Sequence, residues 1–573
     1  MFVQDVDPVA GSLLLSALCA AVPLLLLFVL LGVVRMKAHR AALVSLAAAL
    51  VLAVVGWGMP VGQAASAAAE GAFYGLFPIL WILVNALWLY RVTADTPWFD
   101  VLGRSIRSVS DDLRILAILV AFCFGSLLEA LAGYGAPVAI SAAMLMAAGL
   151  KPIKAALVSL LANTAPVAFG AMAAPVIALA GVTGLPLDDL SAMTGRQTPF
   201  ISLLVPLLLV LLVDGRRGVR QTWPVALVAG FVFGLAKFLT SNFLAVELTD
   251  VVAAVATVGA VLGMLRVWRP AEIIGIETAE DDGGTETAEA LEGAADAEVV
   301  QGAAAVEVAT DAAVVVKTGA PAAVVRPTAR EVWFAVAPYL VVMAVFTLAQ
   351  VPAVKAWLND VGRVTFDWPG LDVVTPDGEP MGAQTFTLDH LKATGTLLLL
   401  AGFATMAMYR VSPRRGLRIY GETLTQLRLT IVTVTAVLAL SFVMNLSGQT
   451  TTLGAALAST GSAFAALSPL IGWIGVALTG SDTSSNALFG QLQVTAAQET
   501  GLSPVLMAST NSSAGVLGKM LSLQNLAVAA AAVGQPGSEP TLFRRLLPWS
   551  LGLLVLTTGL VLLQTGPLDW MVP

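Results

Sequence analysis

Long apolar stretches separated by short charged loops make up most of this chain. Residues 11–34, 155–187 and 429–481 contain no Asp, Glu, Lys or Arg. A helix that crosses a bilayer needs about 20 mostly apolar residues, and the period-two alternation typical of outer-membrane barrel strands is missing. The pattern therefore predicts an all-α polytopic membrane protein with about 12–14 spanning or half-spanning helices.

The composition supports this class. Of the 573 residues, 58% are hydrophobic and 12% are charged, whereas a soluble globular chain carries about 25% charged residues. So few charges disfavour a soluble enzyme, a disordered scaffold or a secreted disulfide-rich module. Cys19 and Cys123 each lie in an apolar run without metal-ligand spacing, so we interpret both as small core residues.

The net charge of −7 comes from one segment of the chain. Residues 271–330 contain 12 acidic and three basic residues, so the remainder is slightly basic. Few aromatic residues and charges mostly of one sign predict a disordered linker, and the basic residues beside it place it in the cytoplasm. We therefore expect a first transmembrane half (1–270), this acidic linker (271–330) and a second transmembrane half (331–573).

The distribution of basic residues also predicts the orientation of the chain. The N-terminus carries Asp5 and Asp7 but no basic residue before Arg35, and the loop 352–390 is acidic overall. Because short cytoplasmic loops are enriched in Lys and Arg, we expect the N-terminus and this loop to face outward.

Polar, Gly- or Pro-containing interruptions occur at corresponding places of the two halves. In the first half they are Glu129–Pro137 and Asn163–Gly170, and in the second half they are Thr479–Asn486 and Asn511–Gly515. Irregular backbone at membrane depth is tolerated only inside protein or beside a watery cavity, and matched broken helices indicate a transporter site. Free N–H groups at the start of a half-helix bind anions, so we predict a carboxylate site there.

Four charged residues interrupt apolar surroundings, and each has two interpretations. Glu129 is the one charge in residues 115–150 and carries either an exchangeable proton or a permanent one. Asp482 either takes a proton or a cation, or caps the helix that follows it. Lys519 either pairs with the substrate carboxylate or with an intramembrane acid, or it extends its ammonium to the interface, and for Lys237 we expect this last role.

The candidate site contains these residues and their polar neighbours. We predict proton coupling by Glu129 and Asp482. The predicted substrate-binding residues are Gly133, Tyr134, Gly135, Asn163, Thr164, Ser481, Thr483, Ser484, Ser485, Asn486, Asn511, Ser512, Ser513 and Lys519. Each Ser, Thr or Asn could instead serve helix packing alone. Enzyme, metal and cofactor motifs are missing from the sequence, so we predict no metal, no cofactor and no nucleic-acid partner.

Four stretches resemble the bacterial L-lactate permease family: Ala162–Gly170, Leu478–Gly490, Gly501–Ala508 and Asn511–Met520. The resemblance implies a lactate:proton symporter of the plasma membrane that takes L-lactate, D-lactate and glycolate. It also implies an ion-transporter-type fold of two inverted repeats with re-entrant hairpins, for which an elevator motion is one mode of action. The linker 271–330 is longer than the family pattern.

Charge balance favours proton symport, because moving lactate alone into a cell costs about 2.3 kcal/mol per 100 mV of inside-negative potential. The alternative is a sodium-coupled transporter of a different small carboxylate, with Asp482 and its hydroxyl neighbours as cation ligands. A membrane-embedded enzyme and a passive channel or transceptor are further alternatives. The sequence predicts no oligomeric state.

Overall fold

The computed structural model describes residues 1–133, 135–274, 327–376, 378, 381 and 384–573. Within these residues, 11 helices are long and apolar enough to cross a membrane, or 12 if the bent pair Pro152–Ala162 and Val167–Thr183 is one span. The predicted helical, polytopic fold is confirmed. Most of the predicted linker 271–330 lies outside the described residues, and so does Tyr134.

Five helices precede the first repeat, which begins at Leu113. They are α1 (Leu13–Phe28), α2 (Ala38–Val55), α3 (Val61–Tyr74), α4 (Trp81–Ala94) and α5 (Pro97–Arg107). Ser12 caps α1 by accepting a hydrogen bond from the Leu15 N–H, and Pro97 occupies the first turn of α5. Ser and Pro favour these positions because a first turn leaves N–H groups without helical partners.

The next five helices form a first repeat, which covers residues 113–183. They are α6 (Leu113–Leu116), joined through a π-helical stretch (Ala117–Phe124) to α7 (Gly125–Leu131), followed by α8 (Ala136–Ala147), α9 (Pro152–Ala162) and α10 (Gly170–Thr183). Gly133 and Gly135 have φ of +50° and +87° and break the chain between α7 and α8, a conformation that glycine adopts without steric cost. A second break, residues 163–169, separates α9 from α10, and it consists of turns that end in a single 3-10 turn, Val167–Phe169.

Two long helical segments follow the first repeat. They are α11 (Leu187–Phe243) and α12 (Thr249–Val267). Gly215, with φ of +65°, folds α11 back on itself, and the Ser191 hydroxyl donates to the Ser241 carbonyl across the two arms. One arm of α11, residues 187–214, therefore runs from Leu190 at one end to Val213 at the other.

The second half begins with five helices outside the repeat. They are α13 (Ala329–Gln350), α14 (Pro352–Gly362), α15 (Thr394–Tyr409), α16 (Pro413–Ser447) and α17 (Gln449–Ala458). Between α14 and α15 lies an antiparallel pair, β2 (Arg363–Asp367) with β4 (Thr385–Asp389). A two-residue parallel pair joins β1 (Phe2–Val3) to β3 (Val373–Val374), so the N-terminus and this loop lie on the same face of the molecule.

A second repeat, residues 464–532, has the same order of elements as the first. Its helices are α18 (Phe464–Thr479), α19 (Asp482–Thr500), α20 (Pro504–Lys519) and α21 (Leu523–Ala532), and α22 (Glu539–Gln564) follows. One break lies at Gly480 and Ser481, and the other lies at residues 520–522. The predicted interruption at Asn511–Gly515 is wrong, because these residues lie inside α20 and the break comes after Lys519.

The two repeats enter the molecule from opposite ends. In the first repeat, Lys154 near the start of α9 donates to the Val213 carbonyl. In the second, Ser509 in the equivalent helix α20 donates to the Leu190 carbonyl. Because Leu190 and Val213 lie at opposite ends of one helical arm, about 35 Å apart at 1.5 Å per residue, equivalent helices run in opposite directions. The predicted inverted repeats with broken helices are therefore present.

A cluster around Arg114 fixes the start of the first repeat. The buried guanidinium donates to Asp112 Oδ2 at 2.6 Å and to Asp214 Oδ2 at 3.1 Å, and also to the Glu272 carbonyl at 2.6 Å. Hydrogen bonds from Gln221 and Arg217 hold the pKa of the exposed Glu272 carboxyl below its usual range. Since Glu272 immediately precedes the undescribed part of the linker, this cluster attaches the end of the first half to the first repeat.

Candidate functional site

A small cavity of about 40 Å³ lies where the breaks of the two repeats meet. By the measure that a water needs roughly 10–15 Å³, it holds on the order of three water molecules. It is lined by Glu129, Gly133, Val167, Gly170, Ala171, Pro175, Gly480, Ser481, Asp482, Thr483, Lys519, Gln524 and Asn525. Residues from all four breaks, or from the helices next to them, therefore contribute to one shared cavity.

An ion pair between the repeats forms one wall of the cavity. Lys519 Nζ lies 2.5 Å from Glu129 Oε1, and both side chains are buried. The other carboxylate oxygen of Glu129, Oε2, accepts a hydrogen bond of 2.9 Å from Asn163 Nδ2. Both oxygens of this buried carboxylate are thus satisfied, as a buried charge requires, and Lys519 is not an interfacial side chain.

Glu129 is packed closely against the second break of its own repeat. A methyl group added at Gly170 would lie 3.0 Å from Glu129 Oε1 and 3.1 Å from its Cγ. Gly170 therefore allows the backbone that follows the break to approach the carboxylate, which is why a glycine suits this position.

Asp482, the second acid, has a different environment. Its Oδ2 accepts a hydrogen bond of 2.6 Å from the Ser512 hydroxyl of α20, whereas its buried Oδ1 has no hydrogen-bond partner among the described residues. A methyl group at Gly515 would lie 2.6 Å from that oxygen. Asp482 is one of the residues that line the cavity, and a proton, a cation or a substrate hydroxyl can satisfy its unpartnered oxygen.

The interpretation of Asp482 as a helix cap is wrong. The cap of α19 is Ser481, whose hydroxyl accepts from the Ser484 N–H. Asp482 is the first residue of the helix, and its side chain turns toward α20 instead. Because Ser481 caps the helix, the carboxylate of Asp482 is not used as a cap.

The structure places the predicted site residues in two groups. Those that line the cavity are Glu129, Gly133, Ser481, Asp482, Thr483 and Lys519. Those behind or beside it are Gly135, Asn163, Thr164, Ser484, Ser485, Asn486, Asn511, Ser512 and Ser513. In this second group, Asn163 and Ser512 contact the two acids directly. The prediction that both acids and both breaks share one location agrees with this geometry.

Among the remaining polar residues, Asn486 and Asn511 connect helices behind the cavity, whereas the Ser485 and Ser513 hydroxyls have no hydrogen-bond partner among the described residues. Asn511 Nδ2 donates to Asn486 Oδ1 at 2.9 Å, and Asn486 in turn donates to the Pro175 carbonyl at 3.0 Å. Thr164 donates to the Leu161 carbonyl at the end of α9. These contacts join α10, α19 and α20, which is the packing role that Ser, Thr and Asn have between membrane helices.

Two polar cavity residues were missed from the sequence, namely Gln524 and Asn525 at the start of α21. Asn525 Nδ2 and the Ser522 hydroxyl both donate to the Lys519 carbonyl, at 3.1 and 3.0 Å. The signal was present, because Ser522, Gln524 and Asn525 form a polar group in an otherwise apolar region directly after Lys519.

The expectation that Lys237 extends to the interface is wrong. Its side chain is fully buried, and its ammonium donates to the Ala165 carbonyl at 2.6 Å. Nζ also lies 3.2 Å from Oδ1 of the buried Asp250, as an ion pair without hydrogen-bond geometry. The neighbouring apolar sequence concealed this contact, since both partners are distant along the chain.

Metal ligands do not gather in the described part of the chain, where no group of three or more His, Cys, Asp or Glu residues comes together. An inverted pair of repeats, each with two breaks, encloses a buried acid–base pair at their meeting point. This arrangement defines the class of multi-pass membrane transporters with discontinuous helices.

Comparison with known proteins gives the family. The L-lactate permease family model matches residues 16–566. The L-lactate permease of Bacillus subtilis (strain 168) is 40% identical over 590 residues, which cover 100% of this chain and 99% of that protein. The glycolate permease GlcA of Escherichia coli (strain K12) is 40% identical over 545 residues, with 93% of each chain covered. This chain belongs to the L-lactate permease family, as its motifs predict.

Among solved structures, the YdaH transporter of Alcanivorax borkumensis matches 86% of each chain. The sequence identity is 15% and the TM-score is 0.41. A likeness this weak carries no argument about mechanism.

Proposed function

We propose that this chain imports L-lactate, D-lactate and glycolate by proton symport across the bacterial plasma membrane and carries out no chemical conversion of them. The observation that carries the proposal is the buried Glu129–Lys519 pair beside the cavity, which joins an acid of one repeat to a base of the other. The substrate class is supported by relatives named as lactate and glycolate permeases.

The coupling follows from the charge of this pair. When Glu129 is ionised, its carboxylate pairs with the Lys519 ammonium at 2.5 Å. The ammonium is then not available to a substrate carboxylate. A proton on Glu129 removes that competition and leaves the ammonium to pair with the substrate carboxylate. Empty and loaded sites then carry the same net charge, so the transmembrane potential adds no cost to moving either.

The hydroxyl group of the substrate needs hydrogen-bond partners in the same cavity. Ser481 and Thr483 line it from the start of α19, and Gln524 and Asn525 line it from the start of α21. Hydroxyl and amide groups at the beginning of half-helices suit a hydroxy acid, because free N–H groups there favour its negative end. In this proposal Asp482 is the alternative carrier of the same proton, supported by its unpartnered Oδ1.

The orientation of the protein completes the proposal. We place the linker 271–330 and the basic loops in the cytoplasm, and the N-terminus with its paired strand β3 outside. The division into halves 1–270 and 331–573 and an elevator motion of the repeats also remain predictions.

Glu129→Gln tests the coupling in proteoliposomes. We expect the variant to lose acid-driven accumulation of L-lactate, because its amide cannot exchange a proton. Counterflow of labelled lactate needs no net proton movement, so it should stay within about tenfold of wild type. The measurement compares uptake under an imposed pH gradient with counterflow at equal pH.

The matched control is Glu422→Gln. Glu422 is exposed and pairs with Arg418 one turn away in α16, so both assays should match wild type. Full accumulation by Glu129→Gln would remove Glu129 from the proton path, and absence of lactate exchange by the wild type would reject the substrate class.

Sodium coupling is the second candidate, and the unpartnered Oδ1 of Asp482 is the observation that favours it. Asp482, Ser481 and Thr483 line the same cavity, and carboxylate and hydroxyl oxygens are the ligands that hard cations prefer. Uptake at fixed pH with choline in place of sodium distinguishes the candidates. Proton symport predicts unchanged uptake, and sodium coupling predicts its loss.

A further inference from the structure

The Lys237–Asp250 pair lies outside the cavity and has no part in the mechanism above. Both side chains are fully buried, Lys237 in the second arm of α11 and Asp250 in the first turn of α12. Taking two charges out of water is costly, and apolar residues of similar volume often serve stability as well. A buried pair at this place therefore calls for a reason other than stability.

The contacts of the Lys237 ammonium indicate that reason. Its hydrogen bond, 2.6 Å long, goes to the Ala165 carbonyl in the unwound segment 163–169. Asp250 supplies charge balance at 3.2 Å, and the rings of Phe169 and Phe233 lie 5.1 and 5.4 Å from Nζ, within the range of cation–π attraction. Backbone carbonyl, carboxylate and aromatic faces thus surround one positive charge.

The segment that Lys237 holds is also part of the cavity. Asn163 begins it and donates to Glu129, and Val167 within it lines the cavity. Carbonyl groups at the end of a helix have no helical partner and carry partial negative charge. In transporters with broken helices, such unwound carbonyls are places where a coupling cation binds.

We propose that the Lys237 ammonium is a tethered cation that holds the unwound segment 163–169 in its substrate-binding conformation, so that no free metal cation is needed there. Asp250 neutralises the charge, and the ammonium on the Ala165 carbonyl does the positioning. Lys237 is thus a positioning residue that acts through Asn163 and Val167. The consequence for lactate affinity rests on the proposed function, whereas the holding of the segment does not.

The first test removes both charges at once, in the double variant Lys237→Met/Asp250→Asn of the full chain. Because no unpaired buried charge remains, we expect its melting temperature in detergent to stay within about 5 °C of wild type. Without the ammonium, amide hydrogen exchange in residues 163–169 should become faster. This readout needs no lactate, so it tests the proposal even if the substrate is a different one.

The second readout is lactate counterflow in proteoliposomes. We expect the double variant to raise the KM for L-lactate about tenfold or more, with a much smaller change in maximal rate, because a loosened segment weakens binding. Lys237→Arg keeps a cation beside Asp250 and a donor for the Ala165 carbonyl, so its KM should lie nearer to that of wild type than the KM of the double variant does. Lys154→Met is the matched control, since Lys154 also donates to a backbone carbonyl, that of Val213, away from the break.

A double variant with wild-type exchange in 163–169 and a wild-type KM would overturn the proposal and reduce the pair to a structural one. If the double variant does not fold, the wild type still decides the matter. Without lactate, amide hydrogen exchange of residues 163–169 in the wild type should be equally slow in sodium-free choline medium and in sodium medium, and slow exchange that requires sodium would show that this segment needs a free cation.

Discussion

The second breaks of the two repeats occupy equivalent positions but are held in different ways. In the first repeat, the seven-residue segment 163–169 receives an ammonium from outside the repeat, that of Lys237. In the second, the three-residue segment 520–522 is held locally, because Ser522 and Asn525 both donate to the Lys519 carbonyl. A short break can be satisfied by its own residues, whereas a longer one needs support from another helix.

The acids of the two repeats show the same contrast between a partner from outside the repeat and a partner within it. Glu129 has a charged partner, Lys519, which the opposite repeat supplies. Asp482 has a hydroxyl partner, Ser512, within its own repeat, and its other oxygen has no partner in the described part of the chain. The comparison teaches that inverted repeats of similar architecture need not share chemistry, and that the charge pairing joins the repeats rather than stabilising either alone.

The largest expected effect comes from breaking the pair that joins the repeats. Lys519→Met leaves Glu129 without its cation, and removing one partner of a buried pair costs about 3–5 kcal/mol. The double variant Glu129→Gln/Lys519→Met should regain most of this stability but not lactate counterflow. Thermal unfolding in detergent measures the stability of the variants, and counterflow measures their transport of lactate. If Lys519→Met were as stable as the double variant, this would contradict the pairing of Glu129 with Lys519.

The next effect compares the glycines against which the two acids pack. A methyl group at Gly515 would lie 2.6 Å from Asp482 Oδ1 and 2.7 Å from Val476, whereas one at Gly170 would lie 3.0 Å from Glu129 Oε1. Overpacking typically costs about 1–3 kcal/mol, so we expect Gly515→Ala to lower the melting temperature more than Gly170→Ala does.

The control for this pair is Gly552→Ala in α22, where a methyl group would meet nothing within 4 Å. Alanine is the better helix former, so this variant should gain up to about 1 kcal/mol. If Gly170→Ala lowered the melting temperature more than Gly515→Ala does, Glu129 rather than Asp482 would be the more closely packed acid.

The smallest effect concerns the local support of the second break. Ser522→Ala removes the cap of α21 and one donor to the Lys519 carbonyl, and loss of such a cap costs about 1 kcal/mol. Ser503→Ala removes the cap of α20 at its opposite end, away from the cavity. The two variants should lose similar stability, but only Ser522→Ala should raise the KM for lactate, and equal KM values would argue against local support.

Much of the fold could be read from the sequence because membrane physics restricts what an apolar run can do. Gly133, Gly135 and Gly480 mark breaks reliably, since each adopts a positive φ within otherwise apolar helices. The break after Lys519 was misplaced to Asn511, because a helix accommodates Asn and Ser when neighbouring helices supply partners, as Asn486 does for Asn511.

The site itself could be predicted only in part. The two acids and Lys519 stand out because charges are rare in apolar runs. The pairing of Glu129 with Lys519, 390 residues apart, leaves no local signal in the sequence. The contacts of Lys237 with Ala165 and Asp250 leave none either. Such contacts depend on how helices distant in sequence pack together. The roles of the predicted binding residues remain predictions.

The arm of α11 that ends at Gly215 has a consequence for motion. It touches the first repeat through Val213 and the second through Leu190, at opposite ends of the same helix. A single rod fastened to both partners resists any sliding of one past the other along its length. If the two repeats move during transport, we therefore expect this arm of α11 to move together with both of them.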